Sequence, residues 1–441
     1  MKKLFTLLLL SVVMVINAHA SPAPPRKAII GALIKPVPGG LHVDSVIAGS
    51  TMEALHLQKG DVLTEINGIK LSAPADYTKA VTNIRTGDPI SVKFIRNGEN
   101  KTENGIGIMR PYEQSALADV HYDWVPFRGG ELRAITRAPK GKTNLPVILL
   151  IPGYGCGSIE NYMSSYNGKI INGWLTAGYA VVTIEKSGLG DSYHCVPCSE
   201  ADLATDIESY DAGYQYMEQL SYVDKNRMYV FGHSLGGIIA PEVAKRHTPK
   251  GMIVFGTTFR PWSEFLLEMQ RVQKPLLEGK SYTETEDFVR GIQKVYYEFF
   301  TLKKSREELM QNPEYKPLVL SDLEYKEGSN DMWGRTWRFW PQIDSLNLAQ
   351  SWQSLNCPVL VLHGETDYES CSIAEPKLIR DAVNAVHPGN ATMIVVPQLD
   401  HFMMKSKTYA EARDNFNTQQ YAKGNFNTDI LDETVKWLRE H

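Results

Sequence analysis

Ser234 stands in Tyr229-Val-Phe-Gly232-His233-Ser234-Leu235-Gly236-Gly237, where an apolar run meets G-x-S-x-G and a helix-like segment continues to Lys245. Those residue types at that spacing suit a nucleophilic hydroxyl. A serine held on a tight strand-to-helix turn exposes its Oγ, and the turn closes only if the residues two before and two after it are small. The following helix offers outward-pointing N–H groups to an oxyanion forming on an attacked carbonyl. A serine hydroxyl also needs a general base, and the base needs an acid to orient it. Two later segments supply both: Cys357-Pro-Val-Leu-Val-Leu-His-Gly364 leads into Glu365-Thr-Asp367, and Ala391-Thr-Met-Ile-Val-Val-Pro397 leads into Gln398-Leu-Asp400-His401-Phe402. Asp367 is the expected orienting acid, with Glu365 as a competitor two residues away. His401 is the expected base, with Asp400 available to order its loop.

Residues so far apart in sequence meet only if the elements before them converge. Short apolar runs near 146–151, 179–184, 227–231, 251–255, 358–363 and 392–397 read as buried strands. Helical patterns near 160–177, 200–220, 235–247, 372–386 and 428–440 alternate with them. This β-α alternation predicts a mostly parallel sheet with helices on both faces, and the C-terminal strand ends of such a sheet share one rim. Tyr122 to Pro139 reads as a hairpin turning at Arg128-Gly-Gly130, ahead of that sheet.

On the serine motif, the segment ending in Asp367 and the Asp400-His401 segment, the chain resembles the α/β-hydrolase superfamily over residues 118–441. A fourth stretch, Val147-Ile-Leu-Leu-Ile-Pro152-Gly153-Tyr154-Gly155-Cys156-Gly157, looks like that family's early strand and oxyanion loop, with Pro152-Gly153 where many members have His-Gly. The resemblance implies a Ser234–Asp367–His401 triad in the family's chain order, with the N–H groups of Tyr154 and Leu235 as oxyanion donors. Val182-Thr-Ile-Glu-Lys-Ser-Gly188-Leu-Gly190-Asp191-Ser192 resembles a family loop and reads as a structural turn after a strand. The interval 256–354 has no convincing sheet strand, shows helical periodicity and is dense in aromatics, with Trp333, Trp337, Phe339 and Trp340 close together. By resemblance this is a cap insertion over the site, which excludes water and shapes the acyl pocket. Arg338, among those aromatics, is a candidate partner for a substrate carboxylate.

Residues 28–110 form a different kind of module, in which strands alternate, Asn67-Gly68 and Asn97-Gly98 mark tight turns, and one short helix intervenes. Gly60-Asp61-Val62 through Ile66-Asn67-Gly68 resembles a PDZ domain of the bacterial exported type. Such domains take a peptide C-terminus as an added strand. The resemblance implies a carboxylate loop at Ile29, Ile30, Gly31 and Ala32, and a groove beside the helix around Tyr77 to Ile84. A closed groove serving as a docking face is the alternative. The fold class expected is therefore α/β, an α/β-hydrolase fold with a helical cap, preceded by a small mostly-β PDZ-like domain.

The N-terminus carries an address. Met1-Lys2-Lys3 is a short basic region, Leu4 to Ile16 is apolar, and Ala18-His19-Ala20 precedes Ser21 as an A-x-A cleavage site. The apolar run is too short to span a bilayer, and no other run is longer, so residues 1–20 read as a signal peptide of a periplasmic or secreted protein. A formal charge of −4 with no basic block argues against nucleic acid as a partner. Of the five cysteines, Cys195 and Cys198, or Cys156 with either, are the disulfide candidates; Cys357 and Cys371 lie too far apart along a strand to pair. No metal cluster or cofactor fingerprint appears, and none is expected. Three readings of function follow: a carboxylic-ester hydrolase, a serine peptidase using the PDZ-like module to capture peptides, and a non-catalytic adaptor. The substrate is accordingly a small acyl ester or a peptide.

Overall fold

The computed structural model describes residues 25–418 and 425–441, so the signal-peptide reading lies outside the described residues. Two compact units divide between Met109 and Arg110.

In the larger unit, eight strands form one sheet in the order Ala391–Val396, Val359–Gly364, Gly251–Phe255, Val223–His233, Leu145–Ile151, Ala180–Ile184, Gly130–Pro139, Ala118–Phe127. The first six run parallel; the last two form the expected hairpin and join antiparallel, with Arg128 and Gly129 both at positive φ in its turn. The strands read as continuous apolar runs because both faces are covered. Along Leu145–Ile151, Val147, Leu149 and Ile151 pack into one core, and Ile148 and Leu150 into the other. The first core lies under the helices Leu203–Gln219, Gly236–His247 and Ala374–Val386; the second lies under Tyr166–Thr176 and Thr428–Glu440. Trp174 shows how the second layer is fixed. It is fully buried, stacks edge-on against Phe231 of the serine strand, and donates its indole N–H to Thr434 of the C-terminal helix at 3.1 Å. Burying a side chain of that size stabilises the fold by roughly 2–3 kcal/mol.

Between Gly251–Phe255 and Val359–Gly364 the chain leaves the sheet for a helical insertion, led by Trp262–Glu278 and Tyr282–Tyr296, with a two-stranded ladder at Asp331–Met332 and Arg335–Thr336. Its root is tied down by Glu375, which accepts from the main-chain N–H groups of Phe259 and Arg260 at 2.8 and 3.0 Å and pairs with the Arg260 guanidinium. The buried Glu375 leaves residues 257–260 with one direction to go.

The smaller unit is an antiparallel sheet in the order Ala32–Val37, Gly40–Val46, Val62–Ile66, Pro89–Arg96, Glu99–Ile106, with Ile69–Lys70 pairing on Val62–Ile66 and a helix at Pro74–Val81. Leu41, Val43, Leu63, Ile66, Val92 and Phe94 make its core from the alternating inward positions. Asn67-Gly68 and Asn97-Gly98 both hold positive φ at both residues, as two-residue hairpin turns require. Ala32–Val37 is an edge strand.

Candidate active site

Ser234 sits at the end of Val223–His233 with φ +55°, a left-handed conformation that non-glycine residues seldom adopt. The turn is as crowded as its sequence implies. A Cβ on Gly232 would lie 2.6 Å from the Gly236 carbonyl oxygen, and one on Gly236 would lie 2.1 Å from that of Ile151. Strain of this kind persists where the surroundings over-determine it, and here the Ser234 N–H is held by the Phe255 carbonyl at 2.9 Å.

Asp367 and His401 meet at the adjacent strand ends. The Nδ1 of His401 lies 3.0 and 2.9 Å from the two carboxylate oxygens of Asp367. Both side chains are buried. Burial alone pulls the imidazole pKa down, but the Asp367 charge and hydrogen bond outweigh it and hold His401 above its usual value. Burial likewise pushes the Asp367 carboxyl up, and the His401 charge and hydrogen bonds bring it below its ordinary value. The competitors have other work. Glu365 is exposed and accepts from the Gln398 N–H at 2.9 Å. Asp400 orders the histidine loop by accepting from the N–H groups of Phe402 and Met404 and from Ser406 Oγ.

Two residues that sequence reasoning passed over hold this pair in place. His233, the variable residue before Ser234, is buried flat against Phe255 and donates from Nε2 to the His401 carbonyl oxygen at 2.8 Å. Burial, helped by the neighbouring His401, drops its pKa to about 3, so it is neutral and fixed as a donor. Gly256 has φ +62°, and a Cβ there would stand 3.0 Å from Asp367 Oδ2 and from His401 Nδ1. Its signal in the sequence was a glycine directly after an apolar strand.

Ser234 and His401 line a cavity of about 550 Å³ that the insertion roofs. Trp262, Phe265, Leu266, Met269 and Gln270 all line it. Their spacing puts them on one face of the helix Trp262–Glu278. Trp333 and Trp340 join them; Trp337 and Phe339 do not, and pack within the insertion. Arg338 is not brought here. It is exposed, and its guanidinium stacks over Trp337 at 4.4 Å, because the helical turn at 338 points it outward. Among the described residues lining the cavity there is no Lys or Arg; the charged groups are the carboxyls of Glu369 and Asp322. Glu369 is half-buried two residues after Asp367, and its pKa is raised by burial, with the Asp367 charge adding to the effect against the opposing His401.

Tyr154 and Leu235 both line the cavity, and neither main-chain N–H has an acceptor among the described residues. Gly153 brings the loop close: a Cβ there would be 3.3 Å from the Ser234 Cβ. Of the disulfide alternatives the structure forms Cys156–Cys198, with Cα atoms 5.8 Å apart, and Cys195, Cys357 and Cys371 remain thiols. The described residues contain no group of three or more His, Cys, Asp or Glu able to hold a metal ion.

Residues 148–412 fit the model of the alpha/beta hydrolase family. The chain belongs to that family. Residues 28–104 fit the PDZ domain, so an alpha/beta hydrolase follows a PDZ domain. Among curated proteins this hydrolase is similar to Esterase EstD of Thermotoga maritima, 20% identical over 305 residues that make up 68% of this chain. The match spans 63% of that protein's own length. Among solved structures it is similar to Est1E of Butyrivibrio proteoclasticus with ferulic acid bound (17% identity, 68% of this chain and 99% of that one, TM-score 0.43). It is also similar to a thermostable carboxyl esterase of Bacillus coagulans (14% identity, 74% and 99%, TM-score 0.43).

In the PDZ domain, the four residues expected to form the carboxylate loop are partly engaged already. The Ile29 N–H donates to the Ile108 carbonyl at 2.9 Å. The carbonyls of Ile29, Ile30 and Gly31 accept from Thr51, Met52 and Ile47. The Ile29 N–H of the expected set is therefore occupied.

Proposed function

We propose that this hydrolase cleaves carboxylic esters through an acyl-enzyme on Ser234. The observation that carries the proposal is the buried Asp367–His401 pair, whose histidine lines one cavity with Ser234. In this reading His401 takes the Ser234 proton as Oγ attacks the ester carbonyl, and Asp367 stabilises the imidazolium. The N–H groups of Tyr154 and Leu235 receive the oxyanion. His401 then protonates the leaving alcohol and activates a water to release the acid. An esterase among the relatives supports esters over amides. A cavity free of Lys and Arg supports neutral acyl groups over anionic ones. The test is hydrolysis of a matched ester and amide pair by the full chain. Ester turnover that falls about a million-fold in Ser234→Ala, on the scale of triad removal, is expected. Equal amide turnover would replace the esterase with a peptidase.

Export belongs to the same proposal. The basic, apolar and A-x-A segments before Ser21 support it, as does Cys156–Cys198, since disulfides persist in oxidising compartments. A mature N-terminus at Ser21 in a periplasmic or secreted fraction is the expected result, and an intact Met1 in the cytoplasm contradicts it. The PDZ edge strand Ala32–Val37 is offered as the surface for a protein C-terminus. Titration with C-terminal peptides that shows no binding at millimolar concentration would remove that role.

A further inference from the structure

Three consecutive carbonyls of the loop beside Ser234 are bound by buried cations. Lys186 Nζ donates to the Gly153 oxygen at 2.5 Å and to the Gly155 oxygen at 3.1 Å. Arg335, from the insertion, donates to the Tyr154 oxygen at 3.1 Å. Arg335 is fully buried and paired with Asp206 at 2.9 Å, so its charge is balanced. Lys186 is different. It is 3% exposed, its hydrogen bonds go to carbonyl oxygens, and no carboxylate among the described residues forms an ion pair with it. An ammonium buried in this way is destabilising, and the fold retains it.

The peptide unit explains what it does there. In a trans peptide the C=O and the next residue's N–H point in opposite directions. The carbonyl of Gly153 and the N–H of Tyr154 belong to one unit. Holding that carbonyl on Lys186 turns the Tyr154 N–H away from the lysine, and Gly153 itself abuts the Ser234 side chain. A cation on the carbonyl oxygen also draws electron density from the amide, making its N–H a stronger donor.

Resting on the serine-hydrolase reading, we propose that Lys186 is a positioning residue that aims and polarises the Tyr154 N–H toward the oxyanion. Its effect falls on the transition state, where the charge develops, and little on ground-state binding. Arg335 fixes the next peptide from the insertion side, so the roof and the oxyanion loop are set together. The charged groups acting on Lys186 are Asp206, which favours its charge, and Arg335, which opposes it. Burial outweighs both and brings its pKa down to about 7. The ammonium is therefore complete below neutrality and is lost as pH rises through that point.

The experiment measures kcat and KM for a p-nitrophenyl ester across neutral pH with the full chain, Lys186→Gln and Lys186→Met, alongside thermal unfolding and fluorophosphonate labelling of Ser234. In both variants kcat is expected to fall about 10- to 100-fold, somewhat less than for deleting an oxyanion donor, with KM nearly unchanged. Wild-type kcat declines above neutrality, and the variants lack that decline. Folded variants with wild-type kcat and pH profile overturn the proposal. If neither variant folds, Lys186→Arg decides, since its guanidinium stays charged above neutrality: loss of the wild-type alkaline decline in kcat supports the proposal, and a profile identical to wild type overturns it. A wild-type chain with neither ester turnover nor Ser234 labelling overturns the esterase reading and this inference together. Turnover indifferent to Lys186 overturns the inference only.

Discussion

The two sides of Ser234 are built differently. On one side, Asp367 and His401 follow adjacent parallel strands, Val359–Gly364 and Ala391–Val396, and sheet register brings them together. On the other, the loop at 153–159 has no ladder to hold it. Long-range side chains do that work: Lys186 and Arg335 on its carbonyls, Cys198 through the disulfide to Cys156, and Glu185 accepting from Ser158 Oγ at 2.5 Å and the Ile159 N–H at 3.2 Å. Main-chain hydrogen bonding positions Asp367 and His401, and buried polar contacts position the loop that carries the Tyr154 N–H. Damage to the first side should therefore appear as lost chemistry, and damage to the second as a loosened loop.

The largest effect expected separates orientation from geometry on the strand side. Asp367→Asn should lower kcat about ten-thousand-fold. It should also move the acidic limb of kcat/KM. In the proposed mechanism activity needs neutral His401, so in wild type that limb should have its midpoint above the ordinary imidazole value, raised by the Asp367 charge and hydrogen bond. Without the carboxylate charge, burial dominates and the midpoint should fall below 6.5. A pH–rate profile that kept its midpoint would show that Asp367 is not the residue acting on His401.

Gly256→Ala tests how tightly the pair is seated. Its Cβ would meet Asp367 and His401 at 3.0 Å, so kcat should drop by about a hundred-fold, as for a misplacement near 1 Å. An unaltered kcat would mean that the neighbouring strand end yields freely. On the loop side, Cys198→Ser should lower stability by about 2–4 kcal/mol, for a closure spanning 42 residues, while low-temperature turnover persists on the two cations. Turnover lost with the disulfide at full occupancy of the folded state would shift the loop's anchoring from the cations to the covalent link. The smallest effect belongs to Glu369→Gln. Removing one of the two carboxyls lining the cavity should raise kcat/KM for an acyl group bearing a carboxylate by about ten-fold, leaving a neutral ester nearly unchanged.

The same contrast sorts what could be read in advance. The strand side was legible: apolar runs, G-x-S-x-G and the residues after each strand placed Ser234, Asp367 and His401, because backbone periodicity is local and parallel strands end on one rim. The hairpin turn at Arg128-Gly129 and both Asn-Gly turns were legible for the same reason. Asp367 was preferred with Glu365 as its competitor, since either could follow the strand; the facing imidazole singles out Asp367. Arg338 was misplaced, and Arg335 could not be told apart from it, because the insertion's short turns give no period from which to tell inward from outward. The turn after Ala180–Ile184 looked merely structural, as the reach of Lys186 to Gly153 has no sequence signature.

What the sequence determined by itself is the order of elements, the hydrolase and PDZ modules, and the three residues expected to move protons and acyl groups, all encoded in short-range pattern. Tertiary structure alone decided that Cys156 pairs with Cys198, that Gly256 and His233 seat the acid–histidine pair, and that a lysine in one loop and an arginine in the insertion hold the carbonyls of another. Those contacts depend on which side chains long-range packing brings within about 3 Å of each other, a hydrogen-bond distance that no local spacing specifies.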